Sequence, residues 1–544
     1  MKRGEMRNAG PFHEKARFGV PIFLFAVILL LASAVQAATI TVTTTVDESD
    51  NSCVDGDCSL RDAVATASPG DVVAVPAGTY GLTLGNIIVF NDLTIQGAGA
   101  RVTIVNGNAL SRVFFIVSTV TIADLTITNG NSGPDFGTEG GGIRNFGTLT
   151  LRNCTISNNV SINGGGIFNV GTLTVDRCTL SGNTSTFDEG GGVRNPGGTA
   201  TIVNSTVSGN TVLGGIGGIG FGAGISNEGD GSLSLINSTI TRNTASGSGA
   251  AGGLGSNSGS VAIINTIIAD NNSPVECNVS GTTVSSSHSL ASDNTCPLAG
   301  TGDLPNTSPG LDPLANNGGP TDTHALQASS AAVDAGDDAT CVAAPVNGID
   351  QRGTGRPQGS HCDIGAFELQ NQPPVCTGAN PSVAKLWPPN HKFVQVSVQG
   401  VTDPDGDPVT IVISKIRQDE LTQGLGDGNT CPDGKDIGTA TASVRAERSA
   451  LGNGRVYTIS FTASDGNGGS CQGSVKVCVP HDHNDSCVDG GPSVDSTVCD
   501  KSLGSAQNSS SAFAGDDKLG FLCASHLPTL DCDLFCDAGI LLCQ

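Results

Sequence analysis

The feature that most constrains the fold of this chain is a line of sequence that occurs twice. "GGGIRNFGTLTLRNCTISNN" begins at Gly140, and "GGGIFNVGTLTVDRCTLSGN" begins 24 residues later, at Gly164. Related segments recur on both sides at intervals of 24 to 33 residues, which are too irregular for helical hairpins and suit stacked coils with variable loops. Within each coil, apolar residues such as Leu149 and Leu151 alternate with polar ones, and a period of two indicates strands. The repeat therefore predicts a parallel β-helix.

Stacked coils place equivalent residues above one another, about 4.8 Å apart. Aligning the repeats predicts an inward column that runs Leu93, Leu125, Cys154, Cys178, Ser205, Ser238 and Thr266. A second column runs Asn145, Asn169, Asn195, Asn227 and Asn257, and stacked Asn side chains can bond to the neighbouring turn. Cys154 and Cys178 are partners in register, and the sequence leaves open whether they form a disulfide or stack as thiols.

The N-terminus indicates export. Basic residues precede the apolar run "VPIFLFAVILLLASA", which ends in the small-residue site "VQA", so a signal peptide is expected over residues 1–37. The run is shorter than the roughly 20 residues of a transmembrane helix, and no other run is long enough. Residues 1–37 contain five basic and two acidic side chains, so removing this segment changes the formal net charge from −24 to −27. A charge of this sign disfavours nucleic acid and anionic membranes as partners.

The chain has 18 cysteines, an even number that indicates disulfides in an exported protein. Proximity predicts three pairs: Cys53 with Cys58, Cys277 with Cys296, and Cys341 with Cys362. The spacings do not form the paired C-x-x-C knuckles of a zinc site.

A helix is expected to cap the N-terminal end of the solenoid. Ser59 and Asp62 form a capping-box pattern, and an apolar face is formed by Leu60, Ala63, Val64 and Ala67. "CSLRDAV" followed by "VPAGTY" resembles the CSLREA-type segment of secreted bacterial β-helix proteins. The segment from Ile349 to Glu368 resembles the closing motif of the choice-of-anchor Q domain.

The coils between these two motifs resemble pectate-lyase-like and polymorphic outer-membrane-protein repeats. The resemblance covers roughly residues 39–369 and implies a right-handed β-helix and export, but it says little about activity. We therefore assign residues 38–370 to the β-helix with its N-terminal cap and closing motif.

A second module is expected over residues 371–480. "NQPP" predicts a linker, and five short alternating strands after it predict an immunoglobulin-like β-sandwich. "LWPPNHKFV" and the terminal "VPHD" resemble an Ig-like module of secreted bacterial proteins. Residues 481–544 form a Cys-rich polar tail without a readable role. The fold class is thus all-β throughout.

Carboxylates on tight turns of the second module suggest a cation site. The motifs "DPDGDP" and "SDGNG" contribute Asp403, Asp405, Asp407 and Asp465. Clustered oxygen ligands without His or Cys suit Ca²⁺, although Asp-Gly sequences also occur in ordinary turns. No cofactor other than Ca²⁺ is expected.

Two function classes remain open. The outward strip Thr121, Thr150, Thr174, Thr201 and Ser234 could dock an extended glycan or a surface protein. Glycoside hydrolysis needs two carboxylates about 5 to 9.5 Å apart. Asp176 is the only acidic residue beside the strip, with Arg152 one coil away, so both are weak catalytic candidates.

We expect a secreted or cell-surface protein with a non-catalytic binding, adhesion or scaffold role. The alternative is a polysaccharide lyase or glycoside hydrolase. In that case the catalytic pair could come from loop carboxylates such as Asp188, Glu189, Glu228 and Asp230.

Overall fold

The computed structural model describes residues 37–133, 139–187, 189–214, 221–247, 249–423, 428 and 430–499. Residues 1–36 of the expected signal peptide and residues 500–544 of the tail lie outside these ranges. Within them, no helix is both long and apolar enough to cross a membrane. The chain forms two compact units, of which the first runs to Cys376 and also includes Val401–Thr410 and Ala463–Cys471.

The first unit is the predicted right-handed parallel β-helix, whose strands form four parallel sheets that we call A to D. Sheet A has ten strands: Thr39–Thr41, Val72–Val75, Leu93–Gly97, Thr119–Ala123, Thr148–Arg152, Thr172–Asp176, Thr199–Val203, Ser232–Ile236, Ser260–Ile264 and Thr283–Ser287. Sheet B has nine: Gly78–Gly81, Thr103–Asn106, Thr126–Thr128, Thr155–Ser157, Thr179–Ser181, Thr206–Ser208, Thr239–Thr241, Ile267–Ala269 and Leu290–Ala291.

The other two sheets complete the coils. Sheet C has eight strands: Ile87–Val89, Phe114–Ile116, Ile143–Asn145, Ile167–Asn169, Val193–Pro196, Ile225–Glu228, Ala251–Ser256 and Val275–Val279. Sheet D has four short strands: Val160–Ser161, Thr184–Ser185, Thr211–Val212 and Thr244–Ala245. A central coil passes through sheets C, A, B and D in that order, so each sheet presents one outer face along the solenoid.

The interior follows the alternation in the sequence. Leu149 and Leu151 are fully buried, whereas Thr148, which directly precedes Leu149, is exposed. Cys154 and Cys178 are buried thiols rather than a disulfide, and the backbone N–H of Cys154 donates to Cys178 Sγ (3.3 Å). Burial raises the pKa of Cys178 well above its usual value.

One member of the predicted inward column was wrong. Leu93 pairs with Val120 within sheet A, so the column begins at Leu125 and continues past Thr266 to Ser289. The alignment failed at Leu93 because the first "DLTI" belongs to a strand of sheet A. In the later coils the similar motif lies at the turn from sheet A to sheet B. The small members of the column form hydrogen bonds between neighbouring coils. For example, the backbone N–H of Cys178 donates to Ser205 Oγ (3.0 Å).

Two ladders of asparagine side chains run along the interior. The predicted ladder is present from Asn145 to Asn227, with 2.7 Å from each Nδ2 to the next Oδ1. Its expected last member was wrong, because Ser256 pairs with Asn227 and Asn257 is exposed. The second ladder was not predicted, and it comprises Asn159, Asn183, Asn210, Asn243 and Asn271, joined at 2.9 Å.

The predicted capping helix spans Leu60–Thr66, and the Ser59 hydroxyl accepts from the Asp62 N–H (3.1 Å). Asp62 does not complete the capping box in the expected way, since its carboxylate accepts from Asn51 N (2.9 Å). Leu60, Ala63 and Val64 are buried as predicted.

The closing segment, residues 309–369, contains the second helix, Asp338–Val342, and lies on the outer face of sheet B. Gln351 contacts that face through Thr206 Oγ1 (2.7 Å) and Thr179 Oγ1 (3.0 Å). A buried ion pair joins Arg356 and Glu368 at 2.7 Å. The closing segment therefore covers the outer face of sheet B.

Two four-stranded sheets with antiparallel pairing form the C-terminal part, in agreement with an Ig-like fold. The first contains Asn380–Pro381, Phe393–Gln399, Thr441–Arg445 and Gly434–Lys435. The second contains Ser470–Val479, Arg455–Ser464, Thr410–Gln418 and Val494–Asp495.

The described cysteines form six disulfides. Three are the pairs predicted from proximity, Cys53–Cys58, Cys277–Cys296 and Cys341–Cys362. Three others were not predicted, and they are Cys376–Cys471, Cys431–Cys499 and Cys478–Cys487. Two of these bind the start of the tail to the second unit, through Cys487 and Cys499.

Candidate ligand-binding faces

Sheet A presents a ladder of hydroxyl groups to solvent. The strand registers place Thr121, Thr150, Thr174, Thr201 and Ser234 directly beside one another in one column, as the sequence predicted. Each of these residues is partly exposed. Neighbouring strands lie about 4.8 Å apart, so the hydroxyl groups form a regular row along the solenoid axis.

A parallel hydroxyl column, two residues earlier on each strand, was missed by the sequence reasoning. Its members are Thr119, Thr148, Thr172, Thr199 and Ser232. All four threonines in it are exposed. The signal was the recurring T-x-T spacing, because residues i and i+2 of a strand point to the same face. We call the two columns together the hydroxyl ladder.

The weak catalytic candidates form an ion pair beside this ladder. Arg152 and Asp176 are partners in register, and Arg152 Nε lies 3.3 Å from Asp176 Oδ2. Arg177 Nε contacts the other carboxylate oxygen at 3.4 Å. Asp176 is also the only acidic residue on the sheet A strands that the structure describes. The described strands of sheet A therefore carry no pair of carboxylates.

Sheet C carries an outward column in which aromatic and basic side chains alternate. Its register is Phe115, Arg144, Phe168 and Arg194 on successive coils. The Arg144 guanidinium carbon lies 5.5 Å from the Phe168 ring centroid, and that of Arg194 lies 5.6 Å from it. Sequence reasoning missed this column, although "GGGIRN", "GGGIFN" and "GGGVRN" show the alternation at one place in the repeat.

Two of the carboxylates expected in loops meet at the end of this column, but the loop position was wrong for Glu228, which ends the sheet C strand Ile225–Glu228. Glu189 and Glu228 both contact Nη2 of Arg194, Glu228 at 3.1 Å. The Ser226 hydroxyl donates to the other oxygen of Glu228. Asp230 is exposed in the following turn, and Asp188 lies outside the described residues. The two carboxylates therefore share one guanidinium.

Three of the four predicted calcium ligands lie together in one loop, and Asp465 lies in a second loop. Carboxylate oxygens of Asp403, Asp405 and Asp407 lie within 4.8 Å of one another. Asn467 Nδ2 donates to Asp407 Oδ2 (2.9 Å), which joins this loop to the one that contains Asp465. Asp465 Oδ2 accepts from Asn371 Nδ2 (3.0 Å).

The two carboxylate oxygens of Asp403 have different surroundings, and only one of them makes the hydrogen bonds of an ordinary turn. Asp403 Oδ1 accepts from the backbone N–H groups of Asp405 (2.9 Å) and Asp407 (3.3 Å), as in an Asx turn. Asp403 Oδ2, by contrast, is buried without a hydrogen-bond partner. A buried carboxylate oxygen without a donor is costly unless a cation compensates it.

No protein-family model matches the chain, and no curated protein matches it. Among solved structures, pectate lyase Pel9A is similar over 62% of this chain and 98% of its own, with 16% identity and a TM-score of 0.31. Pectin methylesterase PemA from Erwinia chrysanthemi is similar over 49% of this chain and 92% of its own, with 12% identity and a TM-score of 0.26. The β-helix of this chain rests on its own strand pairing, and no activity follows from these similarities.

Proposed function

We propose that this protein acts at the cell exterior and binds an extended glycan along the hydroxyl ladder of sheet A without cleaving it. The observation that carries the proposal is the pair of hydroxyl columns in register over at least five coils. Six disulfides support an oxidising compartment.

The ladder has the properties that a polyhydroxylated ligand requires. Threonine is stiff at χ1, so ordering its hydroxyl group on binding costs little conformational entropy. Each hydroxyl both donates and accepts, and each net hydrogen bond contributes about 0.5–1.5 kcal/mol. Affinity would therefore accumulate over several coils, and a long chain would bind better than a short one.

The same face lacks the groups for turnover. A glycosidase needs an acid and a second carboxylate about 5 to 9.5 Å apart. Asp176 has no second carboxylate on the described strands of sheet A, and both of its oxygens are engaged by guanidinium groups, those of Arg152 and Arg177. We therefore expect binding without release of products.

The test is a panel of neutral and acidic polysaccharides offered to the purified full chain, with retention and product release measured together. Replacing Thr150 and Thr174 by Val removes two hydroxyl groups and keeps the shape, and should weaken retention about 10- to 100-fold. Thr79→Val is the matched control, because Thr79 is an exposed threonine on sheet B. Unchanged retention in the double variant would contradict the ladder as the binding site.

A hydrolase or lyase is the second candidate, and the meeting of Glu189 and Glu228 at Arg194 favours it. Release of reducing ends or unsaturated products by the full chain would establish this alternative. Loss of the release in Glu228→Gln would locate it on sheet C, and loss in Asp176→Asn would locate it on sheet A. Binding without release, in the wild type, supports the non-catalytic role.

We also propose that Asp403, Asp405, Asp407 and Asp465 bind Ca²⁺ with a structural role. The buried, unpartnered Oδ2 of Asp403 and the crowding of three carboxylates support this. Binding to the folded state alone shifts unfolding by mass action, by about 2.7 kcal/mol at 100 times Kd.

Thermal unfolding in calcium and in chelator tests the calcium proposal. The wild type should melt higher in calcium, and Asp403→Asn should lose the difference. Asp436→Asn is the control, since Asp436 lies in a separate turn. Equal melting temperatures of the wild type in both buffers would contradict the site.

A further inference from the structure

A cavity of about 270 Å³ lies at the corner where the first coils enter sheet C. It is lined by Asn86, Ala109, Leu110, Ser111, Arg112, Asn131, Ser132 and Gly133. Small-molecule pockets begin at roughly 300 Å³, so this volume suits one small unit rather than a long ligand. The cavity shares no residue with the hydroxyl ladder.

Arg112 is the charged group of this cavity. Backbone carbonyls orient it, because Nε donates to Gly140 O (2.9 Å) and Nη2 donates to Glu139 O (2.6 Å). Neither contact brings a negative charge, and Arg112 forms no ion pair with a described carboxylate. The Glu139 carboxylate lies instead beside Arg144, at 3.4 Å.

The positive charge of Arg112 is therefore offset only in part, by the nearby carboxylate of Glu139. Burial, and next the positive charge of Arg144, lower the pKa of Arg112 to about 10, and the charge of Glu139 opposes them. A partly buried guanidinium with a cation beside it gains from an anion that reaches its remaining N–H groups. The planar fork of arginine matches a carboxylate in particular.

The remaining lining residues suit hydroxyl groups. Ser132 Oγ is buried without a hydrogen-bond partner. Asn131 accepts from Gly133 N (3.0 Å) through Oδ1, and this leaves its Nδ2 as a donor. Asn86 adds a second side-chain amide. Leu110, 66% exposed, offers an apolar surface at the rim.

We propose that this cavity binds a carboxylate-bearing sugar unit, with the carboxylate on the Arg112 guanidinium and the hydroxyl groups on Asn86, Asn131 and Ser132. A neutral sugar adds no negative charge beside Arg112, and a small carboxylate without hydroxyl groups gives the amides and Ser132 no hydroxyl partners. The site is separate from the proposed glycan ladder and does not depend on it.

The test is calorimetric titration of the purified full chain with glucuronate, glucose and acetate. A salt concentration of about 0.15 M shortens the Debye length to about 8 Å and screens the net negative charge of the protein. Glucuronate should bind at least tenfold more tightly than glucose or acetate. Equal binding of glucose would contradict recognition of the carboxylate, equal binding of acetate would contradict recognition of the sugar, and no saturation by glucuronate would contradict the site.

Variants separate the roles of the lining residues. Arg112→Gln should lose at least tenfold in glucuronate affinity, whereas Arg101→Gln should not, because Arg101 is an exposed arginine paired with Asp322. Arg112→Gln also removes contacts to Glu139 and Gly140, so its thermal midpoint is measured in parallel. Asn86→Ala keeps those contacts and should weaken glucuronate several-fold while leaving acetate unchanged.

A folded Arg112→Gln protein with wild-type affinity would overturn the proposal. If that variant does not fold, wild-type glucuronate affinity in Asn86→Ala would overturn the assignment of the sugar hydroxyl groups. The double variant Thr150→Val and Thr174→Val should bind glucuronate as the wild type does, and this separates a failure here from a failure of the ladder.

Discussion

At the scale of single residues, asparagine has two roles in this solenoid: it forms hydrogen bonds between coils, and it adopts positive φ at turns. Its side chain has both a donor and an acceptor, so one Asn per coil can bond to the coil before and the coil after. It also tolerates positive φ, and Asn153, Asn204, Asn237 and Asn265 adopt such values, 45° to 53°, at the turn from sheet A to sheet B. Arg177 takes the same conformation with φ of 54°.

Asn183→Ala should destabilise the protein by about 3 kcal/mol. The Asn183 amide accepts from Asn159 Nδ2 (2.9 Å) and donates to Ile156 O (2.9 Å) and Asn210 Oδ1 (2.9 Å), all of them buried. Each buried group left unsatisfied costs about 1–3 kcal/mol. The urea midpoint measures the change. Asn257→Ala, at an exposed position outside the ladder, should change stability by less than about 0.5 kcal/mol, and equal effects would contradict the ladder.

At the scale of elements, the closing segment decides which sheet is available to a ligand. Thr179, Thr206 and Thr239 of sheet B are each no more than 2% exposed, because Gln351 and the backbone of Ala366 bond to them. The threonines of sheet A have the same chemistry and remain accessible. A row of threonines thus serves packing on one sheet and remains available for binding on the other.

His324 connects the closing segment to sheet B and should make stability depend on pH. Its Nε2 lies 2.9 Å from Ser208 Oγ, and its Nδ1 lies 2.7 Å from Asp312 O. Burial, with a smaller effect from the positive charge of Arg242, lowers the pKa of His324 to about 4. In the unfolded chain the pKa of a histidine is about 6.5.

The unfolded state therefore binds a proton between pH 6.5 and about 4 that the folded state does not. Stability from this residue is complete above pH 6.5 and falls as the pH is lowered, by about 2 kcal/mol at pH 5. Urea unfolding at pH 7.5 and pH 5 should show a smaller loss in His324→Gln than in the wild type. His361→Gln is the control, because His361 is exposed and Asp338 raises its pKa; removing it should not reduce the loss.

Asp363 has the opposite effect on the pH dependence of stability, because its contribution decreases as the pH rises. Burial, and next the negative charge of Glu368, raise the pKa of Asp363 to about 7. Its contribution is complete below the unfolded value near 3.9 and is lost as the pH rises to about 7. Comparing His324→Gln with the wild type at each pH removes this shared background. An equal loss in both proteins would contradict the role of His324.

At the scale of the whole molecule, cysteines have two separate uses. Twelve of the described cysteines form six disulfides, four within the first unit and two within the second. Cys154 and Cys178 are fully buried thiols in the first unit. Inaccessible thiols react slowly with oxidants, and burial raises the pKa of Cys178 well above its usual value.

Alkylation followed by peptide mapping should distinguish the two classes. In native buffer the peptides that contain Cys154 and Cys178 should remain unlabelled, and in denaturant without reductant they should be labelled. Peptides with Cys53 and Cys58 should be labelled only after reduction. A bond between Cys154 and Cys178, or free thiols at Cys53 and Cys58, would contradict this assignment.

The sequence alone determined the coils, the hydroxyl column, most of one asparagine ladder and three disulfides. The coils, the column and the ladder depend on contacts within a coil or between neighbouring coils, and a repeat of 24 to 33 residues displays such contacts as a sequence alignment. The three disulfides join cysteines that lie 5 to 21 residues apart in the sequence. The tertiary structure decided what joins distant segments, such as Cys376–Cys471 across 95 residues and His324 on Ser208. It also decided which threonine row is buried and formed the cavity at Arg112 from three separate segments, because no periodicity in the sequence records where a non-repeating segment packs.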